Sequence, residues 1–313
     1  MKPLRVGVIG AGHLGSRHAK VYSAIADSSG VSLIGVCDVS EEVARKVALE
    51  YNTRFFTEYK DLIGLVDAVS IVVPTSLHHQ VARDFLKAGI HTLIEKPITK
   101  TLEEADELIF LANEKDLILQ VGHIERFNSA VRAVEPLLRN PKFIECQRLG
   151  SISQKKRIKD VGVVLDLMIH DIDIILGLVN SKVSHIEAVG ISSVSEHEDM
   201  ANVRLTFQNG AIADITASRI TKEETRKIRV FQEDSYILLD FLNQEASLYH
   251  KNDDNSLEKV HLEIEKNEPL RVELESFVDC VRQSRQPLVS GVEGRQALRV
   301  ALDILDKING RSA

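Results

Sequence analysis

The chain has 313 residues, 44% of them hydrophobic, enough for two packed cores, since single cores stop growing near roughly 250 to 300 residues. Its formal charge of -7 is spread along the sequence, and a diffuse acidic surface repels phosphate backbones, so nucleic acid is excluded as an expected partner. Cys37, Cys146 and Cys280 are too scattered for a disulfide framework or a CxxC site, and the first apolar run is too short for a secretory leader or a membrane span, so a soluble, unprocessed, cytoplasmic protein is expected.

From Leu4 to about Gln120, short apolar runs alternate with amphipathic helical stretches. The runs begin at Arg5, Ser32, Ala68, His91 and Leu117 and read as strands buried on both faces, which predicts a doubly wound parallel sheet covered by helices. Directly after the first run comes Gly10-Ala11-Gly12-His13-Leu14-Gly15, opening a helix near Ser16. In that context the first glycine permits a tight turn, the second lets backbone N–H groups approach a pyrophosphate, and the third lets helix and strand pack closely. The second strand ends in Asp38, about 20 residues further on, where a carboxylate accepts hydrogen bonds from adenosine ribose hydroxyls. Val39 and Ser40 follow with no adjacent Arg to hold a 2′-phosphate, so NAD is expected rather than NADP. A glycine turn that binds nothing, or another nucleotide, is the bland alternative.

Two later loops fall at the carboxyl ends of predicted strands, where parallel sheets bind ligands: Pro74-Thr75 leading to His78, and Glu95-Lys96-Pro97. Lys96 is thereby placed near a nicotinamide, and Pro97 restricts it to an extended conformation; an exposed strand-end lysine is the competing reading.

The pattern changes after Gly122, which divides the chain into a dinucleotide-binding domain, 1–122, and a substrate-binding and oligomerisation domain, 123–313. His123, Arg126 and Asn128 stand just past this crossing and are candidates to line a substrate pocket. A helix near Ser129 and a strand near Phe143 precede a basic run, Lys155 to Lys159, in an otherwise acidic chain. Arg157 is its candidate phosphate anchor, against the alternative of a solvated basic loop. The next predicted helix, from Val163 to Val179, is apolar nearly all round, yet Asp166, His170 and Asp173 recur at i, i+4 and i+7. A carboxylate one turn from an imidazole holds and tunes it, which suits a general base for alcohol oxidation. A satisfied core histidine and a zinc site on the same three residues compete with that reading; no metal is expected, because hydride transfer to NAD needs none when a base is supplied. Between Val183 and Leu262, period-two segments joined by turns such as Gln208-Asn209-Gly210 predict a mostly antiparallel sheet with one face left open, and two helices, near Leu270 and Val292, close the chain.

This combination resembles the Gfo/Idh/MocA family of oxidoreductases: the glycine fingerprint with a following His18, Asp38, Pro74-Thr75 with His78, Ala88-Gly89 leading to Glu95-Lys96-Pro97, and Asp166 with His170. The carboxyl-terminal run from Glu275 through Pro287 to Ile308 extends the likeness over nearly the whole chain. The resemblance implies a Rossmann domain, a second α/β domain whose open sheet serves a homodimer or homotetramer, and a catalytic lysine at Lys96. It further implies that His170, backed by Asp166, takes the hydroxyl proton while Lys96 hydrogen-bonds the reacting oxygen, though which of the two is the base varies among members. Where many relatives have a glycine-rich turn before the long helix, this chain has Asp160-Val161-Gly162-Val163-Val164. The segment Gly122 to Asn128 resembles the branch of the UDP-N-acetylglucosamine 3-dehydrogenase type, acting on the 3-hydroxyl of nucleotide-linked amino sugars; a free sugar or inositol dehydrogenase and a non-catalytic sensor are the alternatives.

Overall fold

In the computed structural model the described residues are 2–151, 161–252, 254 and 256–310. The chain divides into two compact units, Met1–Ile124 with Glu268–Arg295, and Glu125–Asn267 with Gln296–Ala313. The segment Glu268–Arg295, read above as part of the second domain, therefore clusters with the first.

The first unit holds a six-stranded parallel sheet of β1 (Leu4–Ile9), β2 (Val31–Cys37), β3 (Arg54–Phe56), β4 (Ala68–Ile71), β5 (His91–Glu95) and β6 (Leu119–Gly122). Their order in space is β3-β2-β1-β4-β5-β6, the doubly wound arrangement that reverses direction between β1 and β4. Val6, Val8, Val69, Leu93 and Ile94 are fully buried, as strands covered on both faces require. The flanking helices are α1 (His13–Ala24), a short α2 (Ala26–Ser29), α3 (Glu41–Glu50), α4 (Thr75–Lys87) and α5 (Leu102–Glu114), with Ser40 and Thr101 capping α3 and α5 through their hydroxyls. One core joins α1 to β1 and β2 and to Leu270, Leu274, Phe277 and Val281. Those four recur at helical spacing along one face of α8 (Pro269–Gln283), which returns late in sequence to complete this unit.

The second unit is built on an eight-stranded sheet, β14-β13-β12-β11-β7-β10-β9-β8, in which only β7 and β10 run parallel. The strands are β7 (Phe143–Ser151), β8 (Val183–Ile191), β9 (Met200–Phe207), β10 (Ile212–Ser218), β11 (Ile220–Phe231), β12 (Ser235–Asp240), β13 (Glu245–Lys251) and β14 (Leu257–His261). Alternate residues such as Val203, Leu205, Ala213, Ile215 and Val230 are buried against α6 (Ser129–Val134), α7 (Ile169–Val179) and part of α9 (Gly291–Ile308). The opposite face is the open one: strand register lines up Glu187, Arg204, Asp214, Glu145 and Arg229 across it. The Arg204–Asp214 and Arg229–Glu145 pairs there close at 2.7 and 2.8 Å.

The expected fold class, a parallel Rossmann sheet followed by an α/β unit with an open and mostly antiparallel sheet, is the one observed. The helix expected from Val163 to Val179 differs in kind at its start, because Val164–Met168 is a π-helical turn and α7 proper begins at Ile169. Strand β3 adds three residues that carry no pattern of their own; it is admitted by Gly35, where any Cβ would collide with the Phe56 ring. Among the described residues no helix is long and apolar enough to cross a membrane.

Candidate active site

The glycine turn sits at the carboxyl end of β1, at the point where the sheet changes direction. Gly10 has φ +92°, and a Cβ on it would lie 2.5 Å from the Val72 carbonyl oxygen of the loop after β4. Gly15, already inside α1, has no room for a Cβ against the Gly10 carbonyl oxygen. Helix and strand thus approach as closely as the fingerprint requires, and α1 starts at His13 with Gly12 as its N-cap and no side chain closing it. Its first N–H groups keep their affinity for an anion. Ala11 is buried while His13 is exposed and Leu14 half-buried, so the turn offers backbone, not side chains.

Asp38 lies just past β2 with each carboxylate oxygen already taking one backbone N–H, from Ala11 at 2.8 Å and from Ser40 at 3.0 Å. Each oxygen retains a lone pair, which is the capacity two ribose hydroxyls need. These features fit an NAD. The nearby Cys37 thiol is pushed up to about 12 by burial and by Glu58, Asp38 and Asp61, and is an inert neighbour.

Pro74 is the N-cap of α4 and Thr75 its first residue, so a second uncapped helix start opens at the same edge of the sheet. His78, buried on α4, reaches two carbonyl oxygens at 2.9 Å, those of Val73 and Pro97. Burial outweighs both contacts and lowers its pKa, so the neutral ring donates to one of them at a time. His78 therefore staples the loop after β4 to the turn after β5. That turn carries Glu95, buried, and Lys96, half-buried, with a cis bond to Pro97. The Glu95 carboxylate takes His18 Nε2 at 3.2 Å and the Lys96 N–H at 3.3 Å, and Gly122 on β6 leaves the space it occupies. His18, which follows the glycine fingerprint in sequence, is fully buried on α1 and linked to the lysine turn. His123 follows β6 in the same unit and is buried.

In the second unit Asp166 lies in the π turn and His170 in the first turn of α7, both half-buried. A π turn places side chains out of α register and frequently marks functional positions. Its start is pinned by residues far away in sequence. The Glu198 carboxylate accepts the Val164 N–H at 3.1 Å and its carbonyl accepts the Val163 N–H at 2.9 Å, with Gly162 leaving no Cβ in the way. Arg219 donates to the Val161 carbonyl at 2.7 Å and to Asp199 at 2.8 Å. Burial raises the Asp199 carboxyl, but N–H groups of Val194 and Ser193 and the side chains of Arg219 and Ser195 more than reverse it, leaving the acid well below its usual range. The rotation of α7 is set by Asp171, fully buried, which takes Arg148 of β7 in a bidentate grip at 2.7 and 2.9 Å, while Arg148 also holds Glu125 at 2.9 Å. Adjacent helical residues point about 100° apart, so seating Asp171 on the sheet turns His170 elsewhere.

The remaining substrate candidates are placed as follows. Arg126, largely buried, lies over Gly177 of α7, where no Cβ would fit beneath its guanidinium, and stands 3.9 Å from Asp173. Asn128 caps α6 by accepting the Ala130 N–H at 3.1 Å and donates to the Phe241 carbonyl at 3.2 Å, so its amide is engaged within the fold. Arg157, with Lys155, Lys156 and Lys159, lies outside the described residues. Among the described residues, no group of three or more His, Cys, Asp or Glu is arranged to hold a metal ion.

The chain matches an oxidoreductase family model with an NAD-binding Rossmann fold over residues 4–123 and the GFO/IDH/MocA C-terminal domain over residues 131–237. It is 39% identical to UDP-N-acetylglucosamine 3-dehydrogenase of Acidithiobacillus ferrooxidans over 96% of both chains.

This chain belongs to the Gfo/Idh/MocA family.

It is an oxidoreductase, and residues 4–123 of its first unit are the family's NAD-binding Rossmann domain. A solved structure of the Acidithiobacillus ferrooxidans enzyme superposes with a TM-score of 0.93 at 38% identity, covering 99% of each chain. Myo-inositol 2-dehydrogenase of Thermotoga maritima is a further relative, 27% identical over 94% of this chain and 93% of its own. Levoglucosan dehydrogenase in complex with NADH and levoglucosan shares the fold, with a TM-score of 0.87 at 19% identity.

Proposed function

We propose that this protein oxidises the 3-hydroxyl of a UDP-linked amino sugar such as UDP-N-acetylglucosamine to the 3-keto sugar nucleotide, using NAD. The observation that carries the reading is the likeness to a UDP-N-acetylglucosamine 3-dehydrogenase, 39% identical over 96% of both chains, in a chain that carries Lys96, Asp166 and His170.

In this reading the Gly10–Gly15 turn and the start of α1 receive the pyrophosphate, Asp38 takes the adenosine ribose, and the edge formed by Pro74, Thr75, His78 and Glu95 flanks the nicotinamide end. NAD, when bound, supplies the hydride acceptor. Lys96 hydrogen-bonds the oxygen that becomes the carbonyl, and His170 takes the hydroxyl proton, its imidazolium stabilised by Asp166. Each residue is half-buried in its own unit, which leaves it a face for substrate. His123 contributes to the sugar pocket, Arg126 and Asn128 shape the segment that carries it, and Arg157 grips the diphosphate.

We propose further that the protein is a cytoplasmic homodimer or homotetramer joined through the open sheet face. Val189 and Ile191, 54% and 49% exposed, supply apolar contact there beside paired charges.

The test is absorbance gain at the NADH band on mixing enzyme and NAD with UDP-N-acetylglucosamine, other UDP-sugars, myo-inositol and glucose in turn, with Lys96→Met as control. Turnover of UDP-N-acetylglucosamine that falls about 10²- to 10⁴-fold in the variant, with NAD binding kept, is the expected result. Turnover of myo-inositol or glucose alone would move the assignment to the polyol dehydrogenases, and turnover of none would favour a sensor.

A further inference from the structure

Behind the lysine turn lies a second acid that the chemistry above does not use. Glu273, on α8, is fully buried, and among the described residues neither of its side-chain oxygens has a hydrogen-bond partner. Glu95 is also buried, at 8% exposure, but is provided for by His18 Nε2 at 3.2 Å and by the Lys96 N–H at 3.3 Å. The groups facing Glu273 come from three elements. On α1 stand His18 and Tyr22, the latter bonded to Ser70 at 2.8 Å with its phenol pushed up by burial. On β5 stands Glu95. On β6 stands Gln120, whose amide donates to the Glu273 carbonyl at 3.3 Å and whose own buried oxygen is unpartnered.

Two carboxyls within reach of one another in a buried, weakly solvated place do not both ionise, and the charge goes to the one that donors surround. Here that is Glu95. Burial first and the charge on Glu95 second push the Glu273 carboxyl well above its ordinary range.

We propose that Glu95 and Glu273 form a one-proton carboxyl pair behind the lysine turn, Glu95 carrying the charge and Glu273 the proton. Glu273 is then a positioning residue that sets how much negative charge stands behind Lys96. A second charge, appearing as Glu273 ionises on the alkaline side, puts two anions behind the lysine turn in a space with donors for one. The inference rests on the catalytic role given to Lys96, whereas the protonation state itself does not.

Infrared spectroscopy of the substrate-free protein in D₂O and thermal melts across pH test it. At neutral pH wild type shows the carbonyl band of a protonated carboxylic acid, and Glu273→Gln lacks it; identical spectra would overturn the proposal. Above the ordinary glutamate value of 4.5, and until Glu273 itself ionises, the native state binds a proton that the unfolded chain has lost, so wild-type stability falls as pH rises. Glu273→Gln abolishes that slope, and its Tm exceeds wild type by a margin that grows with pH. A Tm below wild type at every pH would mean an ionised, partnered Glu273 and would also overturn it. In Glu95→Gln the Glu273 band persists and titrates at lower pH than in wild type, because the neighbouring charge is gone; an unchanged titration would break the pairing. The alkaline limb of kcat moves upward in Glu273→Gln. If no substrate turns over, the spectra and melts still decide the proton's place, so the two readings fail separately.

Discussion

The glycine turn of the first unit, which offers backbone, and the helix start of the second, which carries Asp166 and His170, are built by opposite means. The turn is assembled from six consecutive residues whose demands are local: positive φ at Gly10, no Cβ at Gly15, and an open helix start at Gly12. The start of the Asp166–His170 helix is assembled from Val161–Val164, Glu198–Asp199 and Arg219, which reach one another only once β8, β9 and β10 have formed. A site made locally tolerates substitution elsewhere but not within itself. A site made from distant segments fails when any one of them is altered.

The largest effect expected is at the local site. Gly15→Ala drives a methyl into the Gly10 carbonyl, a backbone group that has no rotamer with which to yield, so α1 must leave β1. We expect a loss of more than about 4 kcal/mol, placing it among the exceptional single substitutions, with NAD binding no longer measurable by calorimetry. Ordinary NAD affinity in that variant would show that the close helix–strand approach is not what the cofactor requires.

The distributed site comes next. Arg219 and Asp199 are 2% and 0% exposed, and removing one partner of such a buried pair typically costs about 3–5 kcal/mol. Arg219→Met also releases the Val161 carbonyl, so the variant should lose stability in denaturant melts and lose kcat. NAD affinity, set by residues of the other unit, should survive. A variant that loses NAD affinity and turnover in parallel would erase the distinction drawn here.

The same contrast explains what was legible in the sequence. The GxGxxG turn, Asp38 and the lysine turn carry their meaning in residues next to one another, and the parallel strands announce themselves as apolar runs. Period-two alternation likewise revealed the open sheet. Glu198, Asp199 and Arg219 carried no signal, because a surface loop with two acids and a strand-end arginine looks like any solvated edge until the sheet brings them together. His18 was visible but ambiguous, since a histidine on an amphipathic helix declares nothing about the glutamate it meets across the sheet. Helical periodicity placed Asp166, His170 and Asp173 on one face. It did not show the π turn, whose extra residue per turn depends on contacts at the helix start, and it passed over Asp171, the residue that seats α7 on β7.

Arg157→Ala tests the diphosphate anchor proposed above. A charge-assisted hydrogen bond to phosphate contributes about 1.5–3 kcal/mol, so KM for the UDP-sugar should rise roughly 10-fold or more while KM for NAD stays put. Equal KM values before and after the substitution would leave Lys155 to Lys159 as a solvated basic run.

The smallest effect concerns His78, which joins two loops of the local site and so tests whether that site has any distributed component. Its ordinary pKa is 6.5 and burial lowers it in the folded state, so over the interval between the two values the unfolded chain binds a proton that the native ring refuses. Stability from this group is therefore complete above about pH 6.5 and declines as pH falls toward the lowered value. His78→Asn removes that dependence but leaves one of the Val73 and Pro97 carbonyls without its donor, a loss of about 1 kcal/mol at neutral pH. Urea midpoints at about pH 7.5 and 5.5 should then show the deficit of the variant shrinking on the acid side. A constant deficit would mean that the ring does not titrate against the fold, and that the Val73 and Pro97 loops are held together by backbone and packing alone.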